Sequence, residues 1–180
     1  MSRKAARKAA KTAVTWARSH PRRYTLEVCL ISGPVTASFA RKNPVIARTI
    51  QMRGDQTLEA LHHAIFEAFD REEAHLYEFQ VGGKGPMDPR ARRYVLAGAV
   101  DAPGSDCKPA GDLTRTPIGS LGLKVGEAFG YWFDFGDDWW HQINVLAIED
   151  AALRGRYPRV TKRVGASPPQ YAGEEEEESG

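Results

Sequence analysis

An α+β fold is predicted for this chain by three features of its sequence. Apolar side chains recur with period two from Tyr24 to Leu30 and again from Pro44 to Met52, the pattern of half-buried strands. From Leu58 to Phe69 they recur at helical spacing instead. From Ala128 to Ile148 an aromatic-rich stretch alternates on either side of a Gly-Asp turn, as a hairpin does. A chain of 180 residues, 42% of them apolar, supplies one ordinary hydrophobic core, so one folded domain is expected.

Residues 3–18 combine Ala with Lys and Arg, all good helix formers, up to Pro21. Their apolar side, chiefly Val14 and Trp16, is too thin to anchor a helix, and a solvated arm is expected. Tyr24, Leu26, Val28 and Leu30 then alternate with Thr25, Glu27 and Cys29 in a first strand that Gly33 and Pro34 end. The second strand carries Ile46, Arg48 and Ile50 in period two and turns at Gly54 and Asp55. Thr57 suits a helix N-cap, and Glu59 puts a carboxylate where the helix dipole favours it. Leu58, Leu61, Ile65, Ala68 and Phe69 follow as one apolar stripe. Leu76–Val81 reads as a third strand, closed by Gly82, Gly83 and Gly85, and Tyr94–Leu96 as a short fourth.

The composition of 97–116, rich in Gly, Pro, Ala and Asp, predicts a long surface loop. Ile118, Leu121 and Leu123 suit a short helical turn or an extended approach to the hairpin. In the hairpin Phe129, Tyr131 and Phe133 alternate inward, Phe135–Asp138 turn, and Ile143, Val145 and Ala147 share a face with Trp139 and His141. Beyond Asp150 order is expected to lapse, and the run Glu174–Glu178 is expected to be disordered. The chain thus divides into a basic arm (1–23), an α+β domain (24–156) and a C-terminal extension with an acidic tail (157–180).

The formal charge of +2 conceals a segregation. Residues 1–23 carry eight Lys or Arg and no acid, against five consecutive carboxylates at 174–178, so attraction for a polyanion is concentrated in the arm. Cys29 and Cys107 fit no zinc ribbon, redox CxxC or disulfide framework and read as a buried thiol and a loop thiol. No run approaches the roughly eighteen apolar residues of a membrane span. The N-terminal stretch lacks the apolar region of a signal peptide, so a cytoplasmic location and no membrane partner are expected. The alternative for an Ala- and Arg-rich, acid-free N-terminus is an organellar transit peptide. There is no GxxxxGK(S/T) loop and no GxGxxG, so nucleotide cofactors are not expected.

Three segments carry a family resemblance: Thr57-Leu58-x-x-Leu61-His62, His75-Leu76-Tyr77-Glu78-Phe79, and Tyr131-x-Phe133-Asp134-Phe135-Gly136-Asp137-Asp138-Trp139-x-His141, the last being the most specific. Together they resemble the plasmid Ri ORF-three-like family, whose members are often labelled TnpR passenger proteins of mobile elements. The resemblance covers residues 24–173, because Tyr157-Pro158-Arg159 and Gly165-Ala166-Ser167-Pro168-Pro169 are similar to the family's C-terminal signature. It implies a small α+β fold, a mixed sheet with one main helix, β-grasp-like. This chain departs from the pattern at Ala47-Arg48, where the family usually has Trp-Arg, and at Asp70-Arg71, where Gly-Trp closes the helix. It departs again at Ser167-Pro168-Pro169-Gln170-Tyr171, where Cys-Pro-Pro-Glu-Asp is typical. No serine- or tyrosine-recombinase constellation accompanies the resolvase-like label.

Asp134, Asp137, Asp138 and His141, with His75 and His62 as partners from other elements, are the densest group of candidate ligands and acid–base groups. In one reading Asp134, Asp137, Asp138 and His141 hold a divalent metal, and Asp134, Asp138, His141 and His75 do the chemistry of a metal-dependent hydrolase or nuclease. In the other, Gly136 and Asp137 make the hairpin turn, Asp138 satisfies its amides and His141 packs on the strand. Asp and Gly serve turns more often than metals, so the second reading is preferred and no cofactor is predicted. His62, at the edge of the apolar stripe, reads as a satisfied semi-buried histidine, and His63 as solvent-facing. Trp132, Trp139, Trp140 and Tyr131 read either as a platform for stacking bases or as half core, half sheet surface. Arg3, Lys4, Arg7, Lys8 and Lys11 recur at helical spacing and would meet a phosphate backbone with salt-dependent, sequence-independent affinity, the alternative being a solubilising tail. The reading taken forward is a non-catalytic accessory or binding protein for a protein or nucleic-acid partner, its oligomeric state left open.

Overall fold

The computed structural model describes residues 21–97, 108–150 and 153–171. Arg3, Lys4, Arg7, Lys8 and Lys11 of the predicted arm, Cys107 and the Glu174–Glu178 run lie outside the described residues. One sheet contains the strands β1 (Arg23–Ser32), β2 (Ala47–Arg53), β3 (Tyr77–Val81), β4 (Arg92–Val95), β5 (Gly111–Asp112), β6 (Ala128–Phe133), β7 (Trp139–Glu149) and β8 (Arg159–Val164). Their spatial order is β5-β4-β3-β6-β7-β1-β2-β8. Only β4 and β5 run parallel, and every other neighbouring pair is antiparallel, so the sheet is mixed. Helices α1 (Ala37–Lys42) and α2 (Leu58–Ala68) and a 3₁₀ turn at Ile118–Ser120 accompany it. The α+β class read from the sequence is therefore observed.

The start of α2 is fixed by Thr57, whose hydroxyl accepts the Ala60 amide at 3.2 Å. Its stripe of Leu58, Leu61, His62, Ile65 and Ala68 is buried. The face it covers follows from the register of the strands. Tyr77 pairs with Phe133, Phe79 with Tyr131, Tyr131 with His141, Ile143 with Val28 and Leu26 with Ile50, so period-two alternation puts all of them on one side. His62 stacks on Tyr77, and Phe66 meets Phe133 edge-on, which seats α2 on that side. Burying such side chains at roughly 1.5–3 kcal/mol each is the dominant stabilising term. The opposite face carries Glu78, Trp132 and Trp140 in register. Glu78 is fully buried there and fully bonded: its Oε2 accepts from Arg93 Nε and Nη2 at 2.9 and 2.6 Å, and its Oε1 from Gln80 Nε2 at 2.7 Å.

Three elements differ from the sequence-based expectation. Helix α1 is short, buries none of its residues and so has no apolar stripe to betray it; Thr36 caps it by accepting the Phe39 amide. Inside the predicted loop, β5 runs beside β4 and is followed by buried Leu113, whose amide donates to Val95 O. Order does not lapse after Asp150: β8 pairs antiparallel with β2, so the expected boundary at 156 falls before a strand of the same sheet. The β8 sequence Arg-Val-Thr-Lys-Arg-Val is almost wholly exposed, as suits an edge strand, and only Val160 packs against the core. Among the described residues no helix is long and apolar enough to cross a membrane.

Candidate functional site

The predicted site residues lie at the end of the sheet where β6 stops, β7 and β3 start and the chain leaves α2. Asp134 N–H donates to Leu76 O at 2.9 Å and Asp138 N–H to Asp134 O at 2.8 Å, closing the connection between β6 and β7. Both aspartates have positive φ, 54° and 55°, a region that Asp tolerates better than most residues. Asp134 Oδ1 accepts the amides of Gly136 and Asp137 at 3.1 and 3.4 Å, while Asp138 Oδ1 accepts the Trp132 indole N–H at 3.0 Å. Asp134→Ala is expected to cost about 1–2 kcal/mol, since it removes a cap at a left-handed position. Asp134→Asn should retain most of that stability, as a urea unfolding series on both variants would show.

His141 sits on the other side of the strand from Trp132. It is 1% exposed, with its ring 5.0 Å from Phe69 and 5.2 Å from Tyr131. Burial, aided by the nearby Arg71 charge, lowers its pKa to about 3 and leaves it neutral at pH 7. His75 Nε2 lies 3.4 Å from Asp134 Oδ2 and 3.0 Å from Tyr171 Oη. Tyr171 in turn donates to Glu73 Oε2 at 2.7 Å, a bond that pushes the phenol up to about 12. Gln170 Oε1 accepts the amides of Glu72 and Glu73, so the end of the described chain is laced to the segment that enters β3.

Of the proposed metal set Asp134, Asp137, Asp138 and His141 and the catalytic set Asp134, Asp138, His141 and His75, the structure brings together only His75 and Asp134. The physical reason is the two-sidedness of β7: the Asp138 carboxylate is bonded to Trp132 on one face while His141 is buried on the other. Among the described residues no three His, Cys, Asp or Glu side chains are grouped to hold a metal ion. The aromatic residues divide the same way. Trp139 and Tyr131 are core, whereas Trp132 and Trp140 stack on the opposite face with ring centroids 4.7 Å apart. His62 is buried beside Tyr131 Oη at 2.7 Å, and His63 is exposed.

Two buried arginines escaped the sequence-based site. Arg48 is 1% exposed and bonded through every guanidinium nitrogen. Its alternation with Ile46 and Ile50 was the available signal that it points inward. Arg71 is 7% exposed and lies 3.6 Å over the Trp139 ring, and among the described residues none of its three guanidinium nitrogens has a hydrogen-bond partner. Burial draws its pKa down to about 10. Trp139 Nε1 likewise has no partner among the described residues.

A family model described as plasmid pRiA4b ORF-3-like protein matches residues 35–177. An uncharacterized protein of Sinorhizobium fredii (strain NBRC 101917 / NGR234), y4hQ, is 28% identical over 141 residues, which is 72% of this chain and 60% of the relative. The chain therefore spans about three fifths of that relative's length. Among solved structures, the crystal structure of a protein of unknown function, MM3350 from Methanosarcina mazei Go1, is similar with a TM-score of 0.60 and 22% identity, over 79% of this chain and 70% of that one. That likeness is one of fold.

Proposed function

The chain belongs to the plasmid pRiA4b ORF-3-like family, and from that premise we propose that it is a non-catalytic cytoplasmic binding protein, an accessory of mobile elements, whose basic arm adds weak affinity for nucleic acid. The observation that carries this reading is the commitment of the candidate catalytic groups to the fold. A general base must reach the proton it removes, with a pKa near the working pH. Asp134 and Asp138 hold the β6–β7 turn, and His141 is buried with its pKa near 3. Tyr171, at about 12, stays a protonated tie rather than a nucleophile.

The arm supplies the nucleic-acid part of the proposal through Arg3, Lys4, Arg7, Lys8 and Lys11. Each phosphate contact contributes a slope of about −0.9 in log affinity against log salt. Deleting residues 1–23 is therefore expected to weaken binding to a random-sequence DNA duplex and to flatten that slope by roughly four units. Fluorescence anisotropy across a salt series measures both. Unchanged affinity and slope would refute the arm's role, whereas metal-stimulated hydrolysis of a phosphodiester by the intact chain would refute the non-catalytic reading.

A further inference from the structure

We propose that Arg154, Arg156, Arg159 and Lys162, on β8 and the segment leading into it, form a folded contact surface for the phosphate backbone of a nucleic acid. The inference rests on the nucleic-acid reading above and gives that ligand a place on the sheet. Residues 154–163 carry five Lys or Arg and no acid, and the four named cations are exposed. The carboxylates near them are already taken: Asp150 by Arg22, Glu149 by Arg23 and Asp55 by Arg53. The fifth cation, Arg163, faces Asp70 at 3.7 Å. Among the described residues, Arg154, Arg156, Arg159 and Lys162 have no such partner, so their charge is uncompensated. Arg159 donates to Gln51 Oε1 at 3.0 and 2.8 Å, which fixes the guanidinium without neutralising it.

The register of the strands sets this surface beside the arm. Arg23 at the start of β1 pairs with Arg53 at the end of β2, and Gln51 of β2 pairs with Arg159 at the start of β8. The Gly54 amide donates to Arg22 O at 2.8 Å and Gln56 Nε2 to Tyr157 O at 2.7 Å, so these three chain segments form one corner of the sheet. The basic arm therefore joins the fold about 10 Å from β8, two strand spacings of roughly 4.8 Å. Two basic segments that meet at a corner suit an extended polyanion, with phosphates along its length, better than a compact acidic patch. Protection of an open sheet edge accounts for cations within β8, but Arg154 and Arg156 precede the strand.

The test uses the full chain, arm included, and follows a random-sequence DNA duplex by fluorescence anisotropy across a salt series. Arg154→Gln, Arg156→Gln and Lys162→Gln are combined, sparing Arg159 for its bonds to Gln51. This variant is expected to keep its melting temperature, to bind more weakly and to flatten the slope of log affinity against log salt by roughly three units, 0.9 for each phosphate contact. Should it lose its melting transition, Arg154→Gln with Arg156→Gln, both outside the strand, should flatten the slope by about two units. A control combining Lys84→Gln, Lys108→Gln and Lys124→Gln removes the same charge beside β3, β5 and β6, in the other half of the sheet, and should leave the slope nearly unchanged. Equal losses in the two triple variants, or an unchanged slope in the β8 variant, would overturn the proposal. So would displacement of the duplex by polyglutamate at equal charge concentration, which would assign the surface to an acidic protein segment. The arm deletion separates the two readings: a loss there with an unchanged β8 variant removes this inference alone, and the reverse removes the arm's role alone.

Discussion

Arg48→Met is expected to destabilise the protein by about 3–5 kcal/mol and to free β8 before the rest of the sheet unfolds. The chain ends of α2 and β8 meet at this guanidinium. Its Nε donates to Ala68 O at 2.8 Å, its Nη1 to Ala47 O and Val164 O at 2.8 Å and to Gly165 O at 3.1 Å, and its Nη2 to Ser167 Oγ at 2.8 Å. Ala68 is the last residue of α2, so its carbonyl belongs to the set that a helix cannot satisfy internally. Arg163 donates to the same carbonyl and lies 3.7 Å from Asp70, whose Oδ2 accepts from Ser167 Oγ at 2.6 Å. Charge-assisted bonds contribute roughly 1.5–3 kcal/mol each, and the methionine variant loses several while stranding buried carbonyls. Arg48→Lys should recover little, since an ammonium cannot span the fork. Urea unfolding gives the total, and amide exchange shows whether Val160–Val164 loses protection first. A loss below about 1 kcal/mol would mean that Arg163 and the β2–β8 ladder hold the edge unaided.

The same arginine shows what the sequence could and could not disclose. Strands β1, β2, β3, β6 and β7 and helix α2 were legible because a sheet with one helix-covered face imposes period two on its strands and a single stripe on the helix. Helix α1, β5 and β8 were not, because an element that buries little leaves no periodic trace. At the site, four ligand-type side chains within eight residues looked like a cluster. Sequence density is not spatial density, however, where a strand sends successive side chains to opposite faces: Trp140 separates Trp139 and His141 in sequence and points away from both. The turn itself was readable at Phe135–Asp138, but the carboxylate that takes its amides is Asp134 and not the expected Asp138, which accepts from the Trp132 indole instead. The burial of Arg71 was not, since a charged residue just past a helix is ordinarily exposed.

Stability is expected to fall steeply as the pH drops from about 6.5 towards 3, driven from the core rather than the surface. His62 and His141 are 5% and 1% exposed, and burial lowers both pKa values to about 3, with His63 adding to the shift at His62 and Arg71 to that at His141. The unfolded chain titrates its histidines near 6.5, so between those limits it binds more protons than the folded state. Stability then rises with pH through the window and levels off above it, the converse of a histidine stabilised by an acidic partner. Each histidine contributes a slope of about 1.4 kcal/mol per pH unit, and the pair about 2.7, where the unfolded imidazoles are protonated and the folded ones are not. His141→Phe should halve the slope at modest cost at pH 7, because a phenyl ring of similar size keeps the contacts with Phe69 and Tyr131. His62→Phe should also halve it, but at about 1–3 kcal/mol at neutral pH, because Tyr131 Oη is left unpaired. Urea unfolding between pH 4.5 and 6 on the three proteins resolves these slopes, and an unchanged slope in His141→Phe would mean that the folded imidazole titrates normally. The measurement reaches the function as well: a base must titrate near the working pH, so a normally titrating His141 would favour the catalytic reading over the binding one.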